Sequence, residues 1–233
     1  MKQLRSSVLH FLRRQDGGAT VETDLLNLEA LHAGSYNIRV LHRVEAIVAG
    51  LLARDPRYLP ADMSMGSTVT LTERRLDRIN FFANRLHRYD CGAGGRLTLD
   101  AGVYRDFGLV TNCEVRFNSG VVLENVIIAT TNTGAKSISS ASGLQVGRND
   151  NCAPGGGSQL ISLGGMDFPA SLQMFGSQLI ARGTIAFAAQ ANGIQGASMV
   201  AGGRIDGTSN MNMAFCGTGM EDNFQASYFR LVL

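Results

Sequence analysis

The chain of 233 residues has no tryptophan, four prolines and only 7% aromatic residues, so it offers few stacking platforms for nucleic-acid bases. Its formal charge of +2 and pI near 8.4 are too small to mark a nucleic-acid-binding surface. No run of about 18 apolar residues occurs, so the sequence contains no candidate transmembrane helix. The basic start fails as a secretory signal: the short apolar stretch Val8 to Leu12 is broken by His10 and followed by Arg13, Arg14, Gln15 and Asp16. Cys91, Cys113, Cys152 and Cys216 form no CxxC spacing and no histidine follows His87, which argues against a zinc site. A disulfide pair and free, buried thiols both fit these cysteines.

What is abundant is glycine, 28 residues, unusual for a packed α/β enzyme but suited to an array in which every corner needs a turn. Charge is uneven. Thirteen of 21 Lys/Arg and ten of 19 Asp/Glu precede residue 91, leaving 17 charged residues for the remaining 143. Residues 1–90 and 91–233 therefore read as different material: a helical N-terminal region, then a β domain with a C-terminal cap.

In the first region Ile38, Val40, Leu41, Val44, Ile47, Val48, Leu51 and Leu52 recur at helical spacing, predicting an amphipathic helix that stops before Pro56. Thr70 with Glu73 has capping-box spacing and predicts a second helix through Leu76, Ile79, Phe82 and Leu86. After Asp90 the period changes. Residues 96–112 superpose on 114–130 at an offset of about 18, matching Leu97 with Val115, Leu99 with Phe117, Gly102 with Gly120, and Leu109-Val110 with Ile127-Ile128. Residues 166–183 echo 185–203, with Phe168 over Phe187, Leu179-Ile180 over Met199-Val200, and Gly183 over Gly203. Same-direction matches at one-coil intervals predict a right-handed parallel β-helix (β-solenoid) of short glycine-rich coils, with Gly or Asn at corners of positive φ. Short strands at regular spacing also suit a sandwich, but hairpin neighbours have no reason to resemble one another.

Candidate chemistry is sparse. His10, His32, His42 and His87 all precede the array, and no GxSxG elbow accompanies them. Asp100, Asp106, Glu114, Glu124, Asp150, Asp167 and Asp206 are spread singly; Asp106 and Glu124 fall at equivalent repeat positions, where like charges would repel. The loop Gly147 to Ser158 holds oxygen donors for a hard cation but one carboxylate, Asp150, and reads as a turn-rich corner. The apolar end, with Met211, Phe215, Phe224, Tyr228 and Phe229, would close the last coil. The expectation is no catalytic, cofactor-binding or metal-binding residue.

The stretch FLRRQDGGATVE (Phe11 to Glu22) resembles the start of TadE/TadG-like pilus-assembly proteins, although Thr23, Asp24, Asn27 and Glu29 interrupt the place where that family's membrane helix follows. Residues 150–157, 175–183 and 192–203 also look like the glycine-rich C-terminal portion of such proteins from Gram-negative bacteria. The resemblance implies a non-enzymatic component of a Flp/Tad-type type IV pilus system in the periplasm or at the cell surface. It would act through contacts with other pilus-assembly or envelope proteins, self-association included, and without nucleic acid. A bactofilin-like, cytoplasmic β-helical polymer and a β-helix carbohydrate-active enzyme are the alternatives.

Overall fold

A computed structural model describes residues 45–51, 68–92, 94–151, 153, 155–208 and 213–214. After a helix at 45–51, α1, the chain runs β1 (Thr68–Thr70), β2 (Arg75–Leu76), a 3-10 turn (Arg78–Asn80), β3 (Arg85–Tyr89), β4 (Arg96–Leu99), β5 (Gly102–Thr111) and β6 (Glu114–Phe117). It continues with β7 (Val121–Thr130), β8 (Ile138–Ser140), β9 (Gln145–Val146), β10 (Gln159–Ser162), β11 (Met166–Phe175) and β12 (Gln178–Ala181). The last described strands are β13 (Ile185–Gln195), β14 (Ser198–Ala201), β15 (Ile205–Thr208) and β16 (Met213–Ala214).

Every pairing is parallel and joins one coil to the next, which makes the domain a parallel β-solenoid of about seven turns rather than a sandwich. Sheet I stacks β1, β3, the second half of β5, the second half of β7, β10, β12 and β14. Sheet II stacks β2, β4, β6, β8 and the starts of β11 and β13 onto β15. Sheet III stacks the starts of β5 and β7, then β9, the ends of β11 and β13, and β16.

Because side chains alternate along a strand, each sheet sends one column inward. Sheet I contributes His87, Leu109, Ile128, Leu160, Leu179 and Met199 in register. Sheet II contributes Leu97, Val115, Ile138, Met166 and Ile185, and sheet III Tyr104, Leu123, Val146, Met174 and Ile194. Most of these are fully buried, so the core is a stack of layers and not a single centre. Ser140 breaks the pattern: it lies in register with Phe117, is buried, and its Oγ has no hydrogen-bond partner. A buried hydroxyl without a partner costs about 1–3 kcal/mol. Ser140→Ala is accordingly expected to raise the urea-unfolding free energy by about 1 kcal/mol, and a loss of stability would show that the hydroxyl is used.

The corner from sheet III to sheet I uses a left-handed residue in five coils, Asn84, Asp106 and Asn125 (φ 56°, 58° and 54°), then Gly176 and Gly196 (52° and 58°), while the β9–β10 coil turns through a longer loop. Asn and Asp tolerate this region because their short polar side chains bond locally. Here they also bond along the stack: Asn125 Nδ2 donates to Asp106 Oδ1 at 2.9 Å.

Sheet I is also apolar on its outer side, where Val110, Ala129, Ile161 and Ile180 follow Arg88 in one column. Helix α1 lies there, burying Ile47, Val48 and Leu51 against Leu86, Val110, Ile127 and Ile161. This agrees with the first predicted helix over the part of it that is described; the rest of that prediction lies outside the described residues.

The second predicted helix is absent. Residues 68–84 form the first coil of the solenoid and β3 opens the second, so the solenoid begins before residue 91. The spacing of Leu76, Ile79, Phe82 and Leu86 mimics a helical stripe, but Arg85–Tyr89 pair residue by residue with Phe107–Thr111, and these long-range bonds override local periodicity. The capping box sits later than Thr70 and closes a single 3-10 turn: the Ile79 amide donates to Asp77 Oδ1, and the Asp77 amide to Asn80 Oδ1.

Candidate functional site

The outward rows of sheets II and III carry the charged residues, and the register decides whom they meet. Gly102 pairs with Val121 and Leu109 with Ile128, an offset of 19, whereas Leu97 pairs with Val115 at 18. The extra residue enters at the Asn118–Gly120 turn. Asp106 thus stacks on Asn125, and Glu124 stacks on Arg105, so the two carboxylates do not meet as the simple repeat alignment implied.

Each of the seven acidic candidates from Asp100 to Asp206 is engaged separately. Asp100 accepts from Arg75 Nε and from Asn118 Nδ2, both at 2.6 Å, linking three coils. Glu114 pairs with Arg96 at 3.1 Å, and Asp167 with Lys136 at 2.5 Å. Glu124, buried, takes Arg105 at 2.7 Å and Arg148 at 3.5 Å. Asp206 pairs with Arg204 at 3.2 Å, and Asp150 accepts from the Ala153 amide at 3.1 Å. Among the described residues no three His, Cys, Asp or Glu side chains gather. Within the loop 147–158 the described part is a turn closed by Asp150, with Asn151 in the left-handed region. His10, His32, His42, Cys152, Cys216 and the apolar end from Met211 to Phe229, Met213 excepted, lie outside the described residues.

The Arg75 hydrogen bond is the main cause that holds the Asp100 carboxyl below its ordinary value of 3.8, followed by opposing burial and then the Asn118 amide. Since the unfolded chain takes up that proton at higher pH than the folded one, the stabilisation is present above about pH 3.8 and is lost as pH falls through the folded-state value. Asp100→Asn should thus lower the urea midpoint at pH 7 and flatten its decline below about pH 4. Equal slopes for the variant and the parent would refute the assignment.

At the corner between sheets I and II, Cys91 and Cys113 form a disulfide across adjacent coils. Asn112 braces it by accepting from the Cys91 amide at 2.8 Å and donating to Asp90 at 2.7 Å. Further along the same corner, glycines replace side chains. Gly165 donates to Gly134, Gly183 to Gly164 and Gly203 to Gly183 at 2.9, 2.9 and 3.1 Å, and a Cβ at Gly165 would come within 2.4 Å of the Ala135 carbonyl oxygen. The stacked backbone leaves an open groove of about 570 Å³ lined by Thr133, Leu163, Gly164, Arg182 and Thr184.

The first coil is different. Sheet III has no strand there, and residues 77–82 cross the end of the core instead. Phe81 stacks on Phe107 at 4.1 Å and meets Tyr104 edge-on at 5.6 Å, while Ile79 and Phe82 stay 75% and 57% exposed. Burial is the main cause that pushes the Tyr104 phenol above its ordinary value, and its hydroxyl donates to the Asp100 carbonyl at 2.7 Å.

Stacked cross-coil ion pairs, a braced disulfide and a first coil that exposes Ile79 and Phe82 define the class: a parallel β-solenoid domain with charged residues that bind coil to coil. Residues 21–217 match a family described as a domain of unknown function (DUF7867), and the chain belongs to that family. No curated protein and no solved structure matches it. No helix among the described residues is long and apolar enough to cross a membrane.

Proposed function

We propose that this chain is a non-enzymatic scaffold of the bacterial cell envelope, serving a Flp/Tad-type pilus-assembly apparatus through protein contacts. The observation that carries the reading is the Cys91–Cys113 staple between coils, because stable structural disulfides belong to oxidising compartments. Two further features favour a scaffold. Asp100, Asp106, Glu114, Glu124 and Asp167 are spent on coil-to-coil cohesion, and the first coil presents Ile79 and Phe82 outward. The resemblance of residues 11–22 to TadE/TadG-like proteins supplies the pilus context. Deleting the gene from its own host and imaging the cells by electron microscopy tests it: Flp-type pili should be lost and return with the wild-type gene. Normal piliation would overturn the proposal.

The exposed apolar residues of the first coil also favour a second reading, a bactofilin-like polymer that stacks solenoid ends. Filaments of the purified chain under the electron microscope, with piliation intact in the deletion strain, would select it.

A further inference from the structure

In the inward column of sheet I, Val69 is followed by His87, an imidazole, and then by Leu109, Ile128, Leu160, Leu179 and Met199. His87 is fully buried, and both ring nitrogens are committed. Nε2 accepts from the Phe82 amide at 3.0 Å, which fixes the neutral tautomer with the proton on Nδ1, facing the Gly108 carbonyl at 3.2 Å. Phe81 meets the ring edge-on at 5.1 Å, Phe107 at 5.6 Å, and Phe82 lies parallel to it at 6.2 Å. The segment that closes the open end of the core is thus fastened to the barrel of coils through a nitrogen that must stay unprotonated.

We infer that His87 is an acid-released clasp: protonation of Nε2 frees residues 77–84 from β3 and β5 and uncovers the Phe107 and Tyr104 end of the core. A proton on Nε2 would place two N–H donors head to head where one hydrogen bond now stands, with no acceptor left for the Phe82 amide. His87 keeps its place because β3 is paired residue by residue with β5, so the crossing segment is what leaves. Burial, the main influence on the ring, holds its pKa below the ordinary 6.5 against the Gly108 and Arg85 carbonyls, so the closed form is complete above about pH 6.5 and loses ground as pH falls below it.

The other charged or titratable groups on the packed elements are Arg85, Arg88 and Tyr89 on β3, Tyr104, Arg105 and Asp106 on β5, Asp77 and Arg78 at the 3-10 turn, and Glu73 after β1, which itself carries none. Asp77 is bonded to the Ile79 amide, Asp106 to Asn125 and Arg105 to Glu124. Among the described residues His87 is the one side chain of a type that changes charge between pH 7 and 5, so the His87→Gln variant separates its response from that of His10, His32 and His42. The inference is independent of the compartment proposed above.

Amide hydrogen exchange on the full chain between pH 7.5 and 5, corrected for intrinsic rates, tests it. Protection at 81–84 should fall by up to about tenfold per pH unit below pH 6.5 while β6 and β7 stay protected. In His87→Gln, which cannot take up the proton, the fall should vanish. Protection that is flat in the parent, or that falls alike in both proteins, overturns the clasp. Should the variant fail to fold, nitrogen-15 shifts of His87 in the parent decide: the Nδ1–H tautomer must titrate together with the loss of Phe82 protection, and titration without that loss refutes it.

Discussion

Gly147→Ala is expected to cost about 2–5 kcal/mol, a large share of the stability of an ordinary domain. Gly147 has φ +90°, and a Cβ there would lie 1.8 Å from the Phe175 carbonyl oxygen and 2.3 Å from Ser177 Oγ. Its amide donates to Leu123 at 2.7 Å and its carbonyl accepts from Gln145 at 3.0 Å, so the backbone cannot swing aside without breaking the stack. Left-handed geometry alone costs a non-glycine residue about 1–2 kcal/mol, and forced repacking adds about 1–3 kcal/mol. Gly94→Ala is the control: φ is +71° but a Cβ would meet nothing within 4 Å, so only the backbone share of about 1–2 kcal/mol is expected. Urea midpoints of the two variants check this, and equal losses would contradict the close coil approach at Gly147.

The second large effect concerns the staple. Cys91 and Cys113 are 22 residues apart, and releasing a loop of that length returns about 3 kcal/mol of chain entropy to the unfolded state. Replacing both by alanine should lower the melting temperature by roughly 6–12 °C. Reductant should lower that of the parent similarly and leave the variant unmoved. A double variant that melts like the oxidised parent would show that the two thiols are not joined.

Much of the architecture was legible in the chain because a solenoid writes its register into the sequence. Phe168 over Phe187 and Leu179-Ile180 over Met199-Val200 are adjacent in space as they are in alignment. Corner residues such as Asn125 and Gly176 were readable from their tolerance of positive φ. Single-residue insertions were not readable. The slip at Asn118–Gly120 reverses which face meets which, turning an apparent Asp106–Glu124 clash into an Arg105–Glu124 pair. The first coil was hidden for a related reason: β1 pairs with β3 at an offset of 18, β2 with β4 at 23 and β3 with β5 at 22, so no single repeat length extends to it. Leu76, Ile79, Phe82 and Leu86 then resembled a helix. The alternation of Leu86, outward under α1, with His87, inward among phenyl rings, was the available signal for a strand. The cysteine pairing needed the fold, since neither the spacing nor the even count chooses partners.

The most direct test of an oxidised envelope scaffold is fractionation of cells that produce the native protein, with thiols trapped before lysis and this chain followed through the fractions. The account predicts recovery in the envelope with Cys91 and Cys113 protected from the trapping reagent. Recovery in the cytoplasm with both cysteines labelled would contradict it.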